Sequence, residues 1–70
     1  MNWLGWYHRM PQYYVYHIHD DGHESKYYNL FTKIPNARGN PIFKYNEMLI
    51  FVNDLEKHQK PYRVERIPEP

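Results

Sequence analysis

Between Tyr13 and Tyr28 two runs of β-favouring residues flank Asp20-Asp21-Gly22. Tyrosine, valine and isoleucine suit a pleated, half-buried surface, and Asp-Gly marks a tight reversal, so the stretch reads as an aromatic β-hairpin. Its strands are expected over 12–19 and 24–32. The register stays open. A two-residue Asp21-Gly22 turn would set His19 opposite Glu24 and His17 opposite Lys26; a three-residue Asp20-Asp21-Gly22 loop would put Gly22 in the left-handed region and shift the pairing by one. Alternation places Tyr14, Tyr16 and Ile18 on one face, and Tyr13, Val15, His17 and His19 on the other. The first is the expected core face, because both imidazoles then lie outside it.

The chain is 70 residues long, enough for one domain, and a domain of this size buries only about 60% of its unfolded surface. With few aliphatic residues, the 2 Trp, 8 Tyr and 3 Phe must fill much of the core. A core built from tyrosine is thin, because each hydroxyl needs a partner or water. No cysteine is present, which leaves neither a disulfide nor a thiolate zinc site to staple the fold and suits a reducing compartment.

Residues 1–11 form an aromatic lead segment in which Gly5 and Pro11 argue against a long helix. Residues 12–67 are expected to form a single domain and 68–70 a short tail. Pro35-Asn36-Ala37-Arg38-Gly39-Asn40-Pro41 is dense in turn formers and reads as an exposed loop with Arg38 near its tip. Ile42, Phe43 and Tyr45 can add a short extended piece. A helix follows, with Asn46 as the expected N-cap, Glu47 in its first turn, and Tyr45 and Ile50 placed for a hydrophobic staple. Met48, Phe51, Val52 and Leu55 recur at i, i+3, i+4 and i+7, which makes one buried stripe. Leu49 and Ile50 widen the apolar arc. Pro61 stops the helix, and Tyr62–Ile67 reads as a strand. The expected fold is α+β: a small three-stranded antiparallel sheet, in the order hairpin, loop, helix, strand, with the helix packed on one face.

His17-x-His19-Asp20-Asp21-Gly22-His23 is the one cluster with metal-ligand types at strand spacing. It resembles the His-x-His-x-Asp-His signature of metallo-β-lactamase-like hydrolases, but Gly22 breaks the spacing, and a chain this short has no room for the further ligands. The simpler reading is a polar hairpin tip, so no metal and no cofactor are expected. Ser25 is the only serine and has no glycine elbow around it, and the 3 glycines are too isolated for a phosphate or dinucleotide loop. The chain is therefore expected not to be an enzyme.

The formal charge is +1, with 9 Lys and Arg scattered along the chain. Phosphate neutralisation needs a concentrated positive face, so nucleic-acid binding is the second reading. It rests on aromatics interleaved with cations at Tyr7-His8-Arg9, Lys26-Tyr27-Tyr28, Lys44-Tyr45 and Tyr62-Arg63, the pattern with which small sheets stack single-stranded bases. Trp3, Leu4, Trp6 and Tyr7 have no apolar run of signal-peptide length beside them, and nothing approaches the roughly 20 apolar residues of a membrane span. No membrane association is expected, and the expected location is cytoplasmic.

Trp and Tyr dominate interface hot spots, and an arginine on a loop tip can fork onto a carboxylate. Trp3, Trp6, Tyr7, Arg9 and Arg38 are accordingly the expected partner-binding residues. In its polar-faced hairpin, its helix opening at Asn46-Glu47 and its closing Tyr62–Ile67 strand followed by prolines, the chain resembles small phage-encoded proteins that bind and redirect a host enzyme, among them inhibitors of bacterial RNA polymerase. The resemblance implies a non-catalytic binding protein whose partner is a larger protein, such as a host RNA polymerase or another nucleic-acid enzyme.

Overall fold

The computed structural model describes residues 10–68. In chain order the elements are β1 (Gln12–Ile18), β2 (Glu24–Lys26), β3 (Phe43–Lys44), α1 (Tyr45–Lys57) and β4 (Tyr62–Ile67). All pairings are antiparallel, and all involve β1. One edge of β1 carries β4 along its whole length, from Gln12 opposite Ile67 to His17 opposite Tyr62. The other edge is shared: β2 pairs with Tyr16–Ile18 and β3 with Gln12 and Tyr13. The result is the expected α+β domain, a four-stranded sheet three strands wide, with α1 packed on one face.

The hairpin adopts the three-residue loop. Tyr16 faces Lys26, and His17 faces Ser25. The His19 N–H donates to the His23 carbonyl at 2.8 Å, the Gly22 N–H donates to the His19 carbonyl at 2.8 Å, and Gly22 sits at φ +92°. A residue with a Cβ is strained there, so glycine selects this loop. The second strand is far shorter than the expected 24–32. After Lys26 only the Tyr27 N–H still bonds β1, through the Val15 carbonyl at 2.8 Å, and the chain then leaves the sheet. β3 occupies the position that a longer β2 would need.

The expected core face is inverted. Val15, Phe43, Met48 and Leu55 form the buried cluster, with Tyr13, Tyr27, Phe51, Val52, Tyr62 and Val64 packed against it. The helix stripe thus meets the odd-numbered face of β1, while Tyr14 and Tyr16 lie on the open face. Packing decides between the two: Val15 is small enough to let α1 approach, and the register places Val64 opposite it. The inner His17 is accommodated at the rim, where its Nδ1 meets the Tyr27 hydroxyl at 2.9 Å. Rings supply the density that aliphatics cannot. Phe51 stacks on Phe43 with centroids 5.1 Å apart and meets Tyr27 edge-on at 4.9 Å.

The helix begins earlier than expected. Lys44, the last residue of β3, is the N-cap, and Asn46 lies inside the first turn. Glu47 makes this possible by reaching back, its Oε1 accepting the Lys44 N–H at 2.8 Å. Tyr45 and Ile50 are both exposed, so the expected staple does not form. At the other end the Lys60 N–H donates to the Leu55 carbonyl at 2.9 Å, and the Gln59 N–H donates to the Glu56 carbonyl at 3.1 Å. This is the Schellman pattern, which places the residue between the two turns in the left-handed region. Gln59 adopts it at φ +54°.

Two outcomes follow from this packing. Leu55, 4% exposed, should cost about 2–5 kcal/mol when changed to Ala, a large share of the stability of so small a domain, read from urea denaturation. Gln59→Gly should stabilise by about 0.5–1 kcal/mol by relieving the left-handed strain, raising the thermal midpoint by about 2–8 °C. A lowered midpoint would contradict the assignment of this cap.

Candidate partner-binding surface

Asn29 organises the segment that leaves β2. Its side chain is almost fully buried and donates through Nδ2 to the Ile42 carbonyl at 2.7 Å. Thr32 Oγ1 and Glu47 Oε1 stand at 3.3 Å from the same nitrogen. Its Oδ1 accepts the Phe31 N–H at 2.8 Å, which closes a local turn. One side chain thus ties the loop to Ile42, the residue before β3, and, through Glu47, to the N-terminus of α1. The fixed loop turns its flanking apolar side chains outward: Tyr28 is 61% exposed, Leu30 72% and Phe31 52%. A single exposed apolar residue needs no explanation, but three within four residues of an anchored loop form a patch.

The adjoining Pro35–Pro41 loop is held the same way. The Asn36 and Asn40 backbones close it through an N–H to O bond of 3.0 Å, flanked by a Pro35–Pro41 bridge. Asn36 Oδ1 accepts the N–H groups of Arg38 at 3.0 Å and Asn40 at 2.9 Å, while Nδ2 donates to the Tyr14 hydroxyl at 2.8 Å. Arg38 is therefore carried at an exposed but hydrogen-bonded tip. Between the two loops lies an open cleft of about 370 Å³, walled by Tyr28, Asn29, Lys33, Ile34, Pro35, Gly39 and Pro41. Lys33 and Tyr28 are the titratable groups on its wall, and no carboxylate or imidazole stands among its lining residues.

Of the residues of the nucleic-acid reading, Lys26 and Arg63 lie on the open face of the sheet, over the Tyr14 and Tyr16 rings, whereas Tyr27 and Tyr62 pack against the core cluster and Lys44 is buried. The Arg63 guanidinium forks onto Glu24 with two contacts of 2.9 Å and lies 4.2 Å from the centre of the Tyr16 ring. Lys26 Nζ stands 4.8 Å from the Tyr14 ring centre and 5.7 Å from that of Tyr16. The Tyr16 hydroxyl donates to Glu65 at 2.9 Å. The hydrogen bond from Arg63 holds the Glu24 carboxyl below its ordinary pKa, and desolvation followed by the Glu65 contact raises that of the Tyr16 hydroxyl. A base stacking here would have to displace Lys26 and Arg63 from the tyrosine rings, and Arg63 is also paired with Glu24.

At the hairpin tip His19 and His23 stack with ring centres 3.9 Å apart, and His17 meets His19 edge-on at 4.3 Å. His23 Nδ1 pairs with Asp21 at 2.6 Å, and His19 Nε2 with Ser25 Oγ at 2.8 Å. Loss of hydration, then the neighbouring imidazoles His23 and His17, lowers the His19 pKa, while the His23 backbone and ring hydrogen bonds lower that of Asp21. Rings engaged by stacking and by separate partners do not converge, and no metal-holding group of three or more ligand side chains occurs among the described residues.

Of the expected partner-binding residues, Arg38 is carried exposed on the loop that forms one wall of this cleft, whereas Trp3, Trp6, Tyr7 and Arg9 lie outside the described residues. Tyr28, Leu30 and Phe31 are not among the expected partner-binding residues, because 24–32 reads from sequence as the second strand of the hairpin. The available signal was Asn29, a turn-former that interrupts the run. Among the described residues no helix is long and apolar enough to cross a membrane. Comparison with protein-family models, with curated proteins and with solved structures finds no match for this chain.

Asn29→Ala should cost about 1–3 kcal/mol by stranding the Ile42 carbonyl and the Phe31 N–H. Amide exchange should quicken across 29–33 while β1 and β4 stay protected. Unchanged exchange in the loop would show that Asn29 is not its anchor.

Proposed function

We propose that the chain is a non-catalytic binding protein that associates with a larger protein partner and modulates it, through the surface formed by Tyr28, Leu30, Phe31 and Arg38. The observation that carries this reading is the rigid outward presentation of Leu30 and Phe31 by the buried Asn29. A pre-ordered apolar patch loses little conformational entropy on binding, and an adjacent arginine adds directional contacts to a carboxylate. The cleft beside the patch gives an aromatic or aliphatic side chain of the partner a place to insert. The layout resemblance to phage-encoded modulators makes a bacterial RNA polymerase the first partner to test.

The second reading, single-stranded nucleic-acid binding on the open sheet face, draws on Tyr14, Tyr16, Lys26 and Arg63. The pairing of both cations with tyrosine rings, and of Arg63 with Glu24, weighs against it.

Purified bacterial RNA polymerase is incubated with the immobilised chain, with and without nuclease. Binding should survive nuclease and weaken by more than about 1 kcal/mol in both Phe31→Asp and Arg38→Ala, whose folding should be unaffected because both side chains are exposed. Binding abolished by nuclease, and steeply salt-dependent in charge reversals of Lys26 or Arg63, would favour the second reading instead. No binding in either arm removes RNA polymerase as the partner.

A further inference from the structure

The outer edge of β4, which no other described strand pairs, has a self-complementary pattern. In an antiparallel ladder, alternate residues exchange both backbone hydrogen bonds with the strand opposite, and the residues between turn their N–H and C=O groups the other way. The Ile18 N–H donates to the Pro61 carbonyl at 3.3 Å, in the same register that pairs Tyr16 with Arg63 and Tyr14 with Glu65. Arg63, Glu65 and Ile67 therefore turn their backbone groups toward β1, and Tyr62, Val64 and Arg66 turn theirs outward. Among the described residues β4 pairs with β1 alone.

We propose that this edge pairs with β4 of a second copy of the chain, antiparallel about a twofold axis at Val64. That register sets Val64 against Val64 and Tyr62 against Arg66 of the second copy, so every outward N–H and C=O of these residues gains a partner. It also sets Arg63 against Glu65 of the second copy, twice, at the non-hydrogen-bonded positions where cross-strand side chains stand closest. The neighbouring symmetric registers oppose Arg63 to Arg63 or Glu65 to Glu65, and each leaves outward groups unpaired. Charges on an edge strand ordinarily prevent pairing. Here they select one register of self-association. Arg63 can serve both contacts, because its Nε and Nη2 hold Glu24 while Nη1 lies 3.8 Å from its own Glu65. The interface is small, so the dimer is weak, with a dissociation constant between about 10 µM and 1 mM.

Sedimentation equilibrium of the wild-type chain across that range should show a monomer–dimer equilibrium. In parallel, the Tyr62, Val64 and Arg66 amides should exchange more slowly as concentration rises, while those of Arg63 and Glu65, bonded to β1, should not change. Arg63→Glu and Glu65→Arg should each weaken the dimer by about tenfold or more, and an equimolar mixture of the two should restore it as a heterodimer. If Arg63→Glu fails to fold for want of its Glu24 contact, Glu65→Arg and the wild-type amide exchange decide the matter. A monomer at 1 mM, outward amides equally protected at every dilution, or a dimer indifferent to the charge reversals would overturn the proposal.

Discussion

β1 is the strand from which the rest of the sheet hangs, since β2, β3 and β4 all bond to it and none bonds to another. Its two edges are used differently. β4 takes one edge without a break, while β2 and β3 divide the other, and the division forces the chain out of the sheet after Tyr27 and back in at Phe43. The intervening residues are long enough to carry two ordered loops, and their backbone groups need partners that the sheet cannot supply. Asn29 and Asn36 supply them, one from each loop. The candidate partner surface is thus a consequence of how β1 is shared.

The two faces of β1 solve the tyrosine problem in opposite ways. On the inner face Tyr13 and Tyr27 pack their rings against the cluster around Phe43 and Leu55, and the Tyr27 hydroxyl ends on His17 at the rim. On the outer face no helix of the described residues lies above Tyr14 and Tyr16. Their rings are covered by Lys26 and Arg63, and their hydroxyls meet Asn36 and Glu65. The stems and heads of long cations thereby substitute for a second hydrophobic layer, at exposed sites where each such contact is worth about 0.5–1 kcal/mol. A domain with few aliphatic residues gains coverage on both faces in this way.

The hairpin, helix stripe and closing strand were legible because each is a local pattern: Asp-Gly between β-favouring runs, apolar residues at 3.6 spacing, and Pro61 ahead of Tyr62–Ile67. The core face of β1 was not, since Tyr13 and Val15 alternate with Tyr14 and Tyr16, and both sets look apolar. What separates them is the pairing of Val15 with Val64 and of Tyr16 with Lys26 and Arg63, which links residues far apart in sequence. The helix start was mislocated for a related reason. Asn46 is the better cap by residue type, but Phe43 and Lys44 are committed to β1, and the Glu47 carboxylate reaches the Lys44 amide. The exposed position of Arg38 was readable from its turn-rich loop. The exposed positions of Leu30 and Phe31 were not, because an apolar pair in a β-like run is expected to be buried unless the side chain of Asn29 is known to be tied elsewhere.

The outer edge of β4 and the loop surface lie on opposite sides of β1, as one edge belongs to β4 and the other to the strands joined by those loops. Self-pairing through β4 would therefore cover none of Leu30, Phe31 or Arg38 and would carry two copies of that surface outward. For a partner with two equivalent sites within reach, the second contact becomes intramolecular, and weak single contacts gain avidity without any new interaction. At concentrations below the dissociation constant of such a dimer the chain would present one surface and would bind with its single-site affinity. The shared strand β1 thus separates the two sets of contacts, leaving each free to act without competing for the other's residues.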